Sequence, residues 1–384
     1  MFVVYFSNFL NHHQKPVADQ LFAILGTSFT FVETVPMADS FKQSGYTDYS
    51  NEKYVLRAWE SESNKSKAVE YAKTADVALF GGPDVLYLEV IRARSGNKLS
   101  FDVSERWLKK GLLNLLSPRI IKSLYYYHTI FKYKPFYKLC ASSFAAKDQY
   151  CLLTYRGRCF KWGYFTKVDD YEIQKQRQEN SASDITPHIM WCARFLRWKH
   201  PELPVKLAAR LKSKGYRIVV DMYGNGKELE RTKGLSAKLD VRDIVNFYGS
   251  RPNDEILKEM RSHNIFLFTS DRNEGWGAVL NEAMSNGCTV VGSNQIGSVP
   301  YLINDGINGC IFKSECLDSL EEKVEYLLNN PVECKSMARN AYIKLKQIWS
   351  PENAARNLLT LIDDLNHGRE SSIKDGPCSK ALPI

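Results

Sequence analysis

The stretch Glu274-Gly-Trp-Gly-Ala-Val-Leu-Asn-Glu282 sets two carboxylates at either end of a glycine-punctuated turn. The apolar run Asn264-Ile-Phe-Leu-Phe-Thr269 before it reads as a buried strand, and Ala278 to Ser285 carries helix formers up to a break at Asn286-Gly287. A strand, a glycine-rich turn and a helix in that order point free backbone N–H groups and the positive end of a helix dipole into the turn, which suits a diphosphate. Carboxylates do not bind phosphate. Sugar and ribose hydroxyls are their natural partners, because an ionised carboxylate accepts two hydroxyl hydrogen bonds of the stronger, charge-assisted kind. An isolated pair of glutamates at a helix end is ordinarily solvated charge, so the neighbouring motifs decide what this pair means.

Upstream, the strand Ile189-Met-Trp-Cys192 is followed by Arg194 and Lys199, two cations just past a strand's carboxyl end, where open α/β sheets bind ligands. Arginine supplies a bidentate fork and lysine a compact point charge, a pair suited to a diphosphate. The turn Tyr223-Gly-Asn-Gly226 follows another strand but is no dinucleotide fingerprint, since Leu229 stands where a third glycine is required. No Asp-x-Asp triplet is present to hold a divalent metal between phosphates, so charge neutralisation is expected from arginine, lysine and backbone amides, with no metal and no cofactor.

A chain of 384 residues fits two domains of ordinary size, each with its own core. Strands alternate with helical patterns in both halves, which indicates α/β architecture: two Rossmann-like lobes facing each other across a cleft. In the first half the strands are Phe2–Phe6, Ser28–Val32, Val77–Phe80 and Leu99–Val103; in the second they lie at Ile189–Cys192, Ile218–Met222, Val245–Phe247, Ile265–Phe268, Thr289–Val291 and Cys310–Phe312. The expected domains are residues 1–170 as an acceptor-binding lobe, 171–186 as a polar linker and 187–350 as a donor-binding lobe. A C-terminal helix over 351–370 is expected to cross back to the first lobe, and 371–384 to form a flexible tail.

The net charge of +9 and a pI near 8.9 imply an anionic partner. Much of that charge sits with aromatic and leucine residues between Arg106 and Lys138, including Lys109, Lys110, Arg119, Lys122, Lys132 and Lys134. This is the composition of an amphipathic helix lying on an anionic inner-membrane surface, at about 1 kcal/mol per basic residue near that surface. The bland alternative is a helix whose apolar face packs on the first-lobe sheet. No apolar run approaches the roughly 18–20 residues of a membrane span. The N-terminus lacks the basic lead of a secretory signal, so a cytoplasmic protein, peripheral on the membrane, is expected. Nine scattered cysteines without C-x-x-C pairs read as reduced thiols. No nucleic-acid motif accompanies the basic stretch, and no nucleic-acid partner is expected.

Taken in order, Arg194, Lys199, Gly224-x-Gly226, Phe247-Tyr-Gly249, Ser270, Glu274-Gly-Trp-Gly, Glu282-Ala-Met and Gly287 resemble the donor lobe of the retaining family 4 glycosyltransferases of GT-B fold, over roughly Ile189 to Ile362. The first β-α loop, Asn8-Phe-Leu-Asn-His-His13, lacks the Gly-Gly of many members and is closer to variants of bacterial surface-polysaccharide assembly. The resemblance implies a UDP- or GDP-linked nucleotide-sugar donor, held by Glu282 at the ribose. It implies that Glu274 and the backbone of Gly275, Trp276, Gly277 and Ala278 lie at the sugar, and that Gly224, Gly226 and Arg251 complete the donor site. Arg194 and Lys199 would stabilise the leaving diphosphate, an electrostatic form of catalysis.

His12, with His13 beside it, is a candidate for touching the sugar or helping to deprotonate the acceptor, since imidazole titrates near neutrality. Glu105, Gly81 and Gly82, at carboxyl ends of strands, are further acceptor-side candidates. The acceptor implied is a growing, lipid-linked glycan. The alternatives are a soluble acceptor or a non-catalytic glycan- or nucleotide-binding relative.

Overall fold

The structure, a computed structural model, describes residues 1–39, 47–82, 84–168 and 186–384. The expected linker thus lies outside the described residues, apart from Thr186. The chain divides into two compact units, one of Met1–Lys167 with Ile348–Ile384 and the other of Val168–Gln347.

The first unit is built on seven parallel strands: β1 (Val3–Ser7), β2 (Phe29–Glu33), β3 (Val55–Arg57), β4 (Val77–Gly81), β5 (Leu99–Ser104), β6 (Phe136–Cys140) and β7 (Cys159–Lys161), in the spatial order 3-2-1-4-5-6-7. Helices α1 (Lys15–Leu25), α2 (Glu62–Thr74), α3 (Leu86–Ser95), α4 (Pro118–Thr129) and α5 (Ala145–Cys151) connect them. The core is aromatic: Phe6 stacks on Phe80 at 5.1 Å, and Phe131 on Phe136 at 4.7 Å. Chain order reverses between β1 and β4, so the loops after Ser7 and Gly81 flank the switch point where doubly wound sheets take ligands.

The second unit repeats the plan with β8 (His188–Cys192), β9 (Val219–Tyr223), β10 (Val245–Gly249), β11 (Ile265–Phe268), β12 (Thr289–Ser293) and β13 (Cys310–Phe312), ordered 10-9-8-11-12-13 and all parallel. Its helices are α6 (Glu202–Ser213), α7 (Leu229–Lys238), α8 (Asn253–Ser262), α9 (Val279–Ser285), α10 (Val299–Leu302), α11 (Leu317–Asn329) and α12 (Pro331–Gln347). Here the switch point falls between β8 and β11.

A last helix, α13 (Pro351–Asn366), begins at Ser350, whose hydroxyl accepts from the Asn353 amide at 3.1 Å. Its apolar stripe of Ala354, Leu358, Leu361 and Ile362 packs against α1 within the first unit. The segment after it departs from the flexible tail expected from its Gly, Pro and Ser content. Strand β7 is a sheet edge, and the chain end pairs with it: the Cys378 amide donates to the Lys161 carbonyl at 2.7 Å, the Lys161 amide to the Ser379 carbonyl at 2.7 Å, and the Ala381 amide to the Cys159 carbonyl at 3.0 Å. Asp364 receives both the amide and the hydroxyl of Ser372 at 2.8 Å, and Cys378 is fully buried.

A second correction concerns residues 106–138, expected as one amphipathic helix. They form a short 3-10 turn (Gly111–Leu116), α4, another turn (Phe131–Tyr133) and the start of β6. Lys138 is not a surface cation. It is wholly buried, bonded to Asp102 at 2.7 Å and Ser104 at 2.6 Å, with its ammonium over the Trp107 ring. Arg106 likewise pairs with Asp148 at 3.2 Å.

Candidate active site

Strand β8 ends at Cys192, and the chain continues through exposed Arg194 into a 3-10 turn (Arg197–Lys199) that turns Lys199 inward, with its side chain only 10% exposed. Strand β11 ends at Phe268 and delivers Thr269, Ser270 and Glu274 to the same place. The Lys199 ammonium and the Glu274 carboxylate form a buried ion pair through Oε2, and the Ser270 hydroxyl donates to that oxygen at 2.9 Å. Two bonds across the switch point lock this geometry. The Thr269 hydroxyl donates to the Lys199 carbonyl at 2.7 Å and accepts from the Trp191 indole at 2.9 Å. Among the described residues Glu274 Oε1 has no hydrogen-bond partner, and Arg194 has no ion pair. An acceptor oxygen and the Lys199 ammonium thus stand at the carboxyl ends of β8 and β11, with Arg194 on the loop that follows β8.

Glu282 lies in the first turn of α9, half-buried. Burial pushes its carboxyl up to about 7, partly offset by a hydrogen bond from Asn253. Burial also pushes the Cys192 thiol up to about 12; Glu282 adds to that rise and Lys199 opposes it, so the thiol lies within electrostatic reach of both. Cys192 and Thr269 are contributors that the sequence did not single out. Each is an ordinary strand-end residue, and only the parallel pairing of β8 with β11 gives it a place here.

The glycines of the site have a packing explanation. A Cβ on Gly224, at φ +125°, would sit 2.0 Å from the Ala193 carbonyl oxygen, and one on Gly226 would sit 2.4 Å from that of Phe195. Their absence lets the β9–α7 loop lie directly on the Arg194 segment. Gly277, at φ +81°, lets the turn cross the Phe268 ring. Gly275 is buried and Ala278 partly exposed in that turn. The Trp276 side chain is fully buried and its indole donates to Asn281 at 2.9 Å, so its backbone is what it can offer a ligand. Arg251 is exposed after β10, with Glu255 3.9 Å away.

At the switch point of the first unit, the His12 and His13 rings touch at 3.7 Å between centroids, and His13 stacks on Tyr164 at 5.4 Å. The Tyr164 hydroxyl donates to Glu105 at 2.7 Å, and Lys109 binds the other oxygen of the same carboxylate. This joins three of the sequence-derived candidates through a tyrosine whose role no motif announced. Gly81 closes β4, and Gly82 packs against the Asn8 side chain. The titration of these two histidines is shifted from that of free imidazole. Burial, with His12 adding repulsion, lowers His13 to about 3, and burial lowers His12 as well. Both imidazoles are weaker bases than their free form, and His13 stays neutral throughout the physiological range.

Two Rossmann-like units, each with its polar cluster at a carboxyl-end switch point, make this a protein of GT-B fold. Residues 172–344, within the second unit, match the family model "Glycosyl transferases group 1". Among solved structures, Alr3699/HepE of Anabaena in complex with UDP superimposes with a TM-score of 0.69 at 13% identity, over 96% of this chain and 99% of that one. WaaG, a glycosyltransferase involved in lipopolysaccharide biosynthesis, gives 0.60 at 16% identity, over 92% and 98%. At such identities the likeness is one of fold. The D-inositol 3-phosphate glycosyltransferase of Corynebacterium jeikeium is 28% identical over 154 residues, 38% of this chain and 36% of the relative. The chain spans from about a quarter to two fifths of the length of the first such curated relatives.

Proposed function

We propose that the protein is a retaining glycosyltransferase that moves a sugar from a UDP- or GDP-linked donor to a growing, lipid-linked glycan. One observation carries this: Lys199, Glu274 and Ser270 form a single buried cluster at the β8–β11 switch point, with Glu282 beside it. Glu282 accepts from the ribose, Glu274 Oε1 from a sugar hydroxyl, and Arg194 with the remaining N–H bonds of Lys199 meets the diphosphate. As the bond from sugar C1 to phosphate oxygen breaks, negative charge grows on the diphosphate, where these cations already stand. The acceptor oxygen bonds to C1 on the same face, and its proton passes to the departing phosphate. That route needs no histidine base, consistent with the lowered His12 and His13. The UDP held by the Anabaena relative supports a uridine donor. A screen of nucleotide-sugars by mass spectrometry, scored for transfer or donor hydrolysis, tests the reading; Lys199→Ala and Glu282→Ala should each lose at least about a hundredfold in rate. Full turnover in either variant removes that residue's role.

The lipid-linked acceptor and the membrane rest on a surface feature of the first unit. Leu112, Leu113 and Leu116 are 72%, 71% and 76% exposed, followed by exposed Ile121, Tyr125 and Tyr133 and interleaved with Lys109, Lys110 and Arg119. Apolar side chains in the open among cations suit an anionic bilayer surface. A soluble acceptor, of the kind named for the Corynebacterium relative, gives them no purpose. Reversing the charge of Lys109 and Lys110 should abolish flotation with anionic liposomes; a protein that never floats points to the soluble acceptor.

A further inference from the structure

Three residues far apart in the chain meet where β8, β9 and the end of α8 converge. His188, which opens β8, sets Nδ1 2.9 Å from Asp221 Oδ2, and His263, the cap residue of α8, sets Nε2 3.0 Å from the same oxygen. Asn246 of β10 donates to the other carboxylate oxygen at 2.9 Å. On its far side the His263 ring meets the Glu259 carbonyl, with Nδ1 2.6 Å away. A carbonyl only accepts, so Nδ1 carries a ring proton, and Nε2, the nitrogen left to serve as a ligand, faces the carboxylate. His263 and Asp221 are 3% and 4% exposed, too buried for water to screen the carboxylate, so a cation shared among the three groups would balance its charge.

We propose that His188, Asp221 and His263 form a binding site for one divalent transition metal of the zinc type. The three ligand atoms lie within 4.8 Å of one another. Bonds of about 2.0 Å in tetrahedral array set ligands roughly 3.3 Å apart, so the separations of His188 and His263 from Asp221 need open by only a few tenths of an ångström. The outer contacts are those of a metal site: a carbonyl fixes the tautomer of His263, and an amide orients Asp221. Two imidazoles and one carboxylate favour zinc, nickel or copper over magnesium or calcium. The His188 side chain is 42% exposed, which leaves an entry path and a fourth position for water. His188 and Cys192 stand at opposite ends of β8, about 13 Å apart at strand rise, so the metal ties β8, β9 and α8 together rather than joining the transfer reaction. Sequence spacing hid the site, because its members are 33 and 42 residues apart.

The full chain, stripped with a chelator and titrated with Zn²⁺, should take up one equivalent that raises Tm by several degrees. Co²⁺ in its place should show the visible bands of a tetrahedral ion. His188→Ala, a change at a half-exposed strand end, should fold with the melting point of the stripped wild type and lose that equivalent. His263→Gln should do the same. His200→Ala, in the separate cluster of His200, Asp271 and Glu315, should retain it. Equal zinc content and equal melting response in wild type and His188→Ala overturn the site. So does a folded wild type that binds no zinc, in which case the cation is a proton on His263. Metal content and melting are read without any transferase assay, so failure here leaves the donor site untouched.

Discussion

Lys199 and Glu274 form a buried pair, and a buried pair is costly to break from one side. Lys199→Met leaves the Glu274 carboxylate unneutralised and is expected to cost about 3–5 kcal/mol of stability. Adding Glu274→Gln should recover most of that loss in a denaturant titration without restoring transfer, because catalysis needs the charge and folding needs only its balance. Glu282 sets a different test. Its folded value of about 7 lies above the roughly 4.3 of an unfolded glutamate, so the folded state holds the proton between those values. The stability it contributes is full below about pH 4 and is lost as pH rises through about 7, so Glu282→Gln should flatten the Tm profile over that window. Ribose recognition has the opposite trend. The ionised carboxylate is the better acceptor, so wild-type nucleotide affinity should rise from about pH 6 to about pH 8 and that of Glu282→Gln should not.

At the scale of elements, the central strands β8, β11 and β12 of the second unit were legible because each is a largely apolar run, the mark of a sheet buried on both faces. Strand β6, Phe136-Tyr-Lys-Leu-Cys140, was not, since a lysine at its centre reads as solvated until Asp102 is known to meet it from β5. Composition also misread the tail, because pairing with an edge strand depends on a partner more than 200 residues away in sequence. The strand-end placement of Lys199, Glu274 and Glu282 could be read from local motifs, whereas Tyr164, Cys192 and the His188–Asp221–His263 cluster depend on which strands become neighbours. Two contrasts test the packing. Gly224→Ala should destabilise by about 3 kcal/mol or more, against about 1 kcal/mol for Gly215→Ala, which has positive φ but open space around it. Removing residues 371–384 should expose the β7 edge and cost several degrees in Tm, although composition alone would expect no effect.

At the scale of the whole molecule, each unit brings its polar cluster to the point where strand order reverses, and the fold thereby sets where ligands meet the chain. The exposed leucines of the first unit add a surface with a purpose of its own. Changing Leu112, Leu113 and Leu116 to serine should abolish liposome binding while leaving Tm within a degree or two, because none of the three is buried. The central claim is that the β8–β11 switch point holds a nucleotide diphosphate. Calorimetric titration of UDP, GDP and ADP into wild type and Glu282→Ala tests it most directly. UDP or GDP should bind the wild type, and the variant should lose at least about tenfold in affinity, which is 1.4 kcal/mol. Equal affinity in both proteins, or binding of none of the three nucleotides, would contradict the assignment of this site.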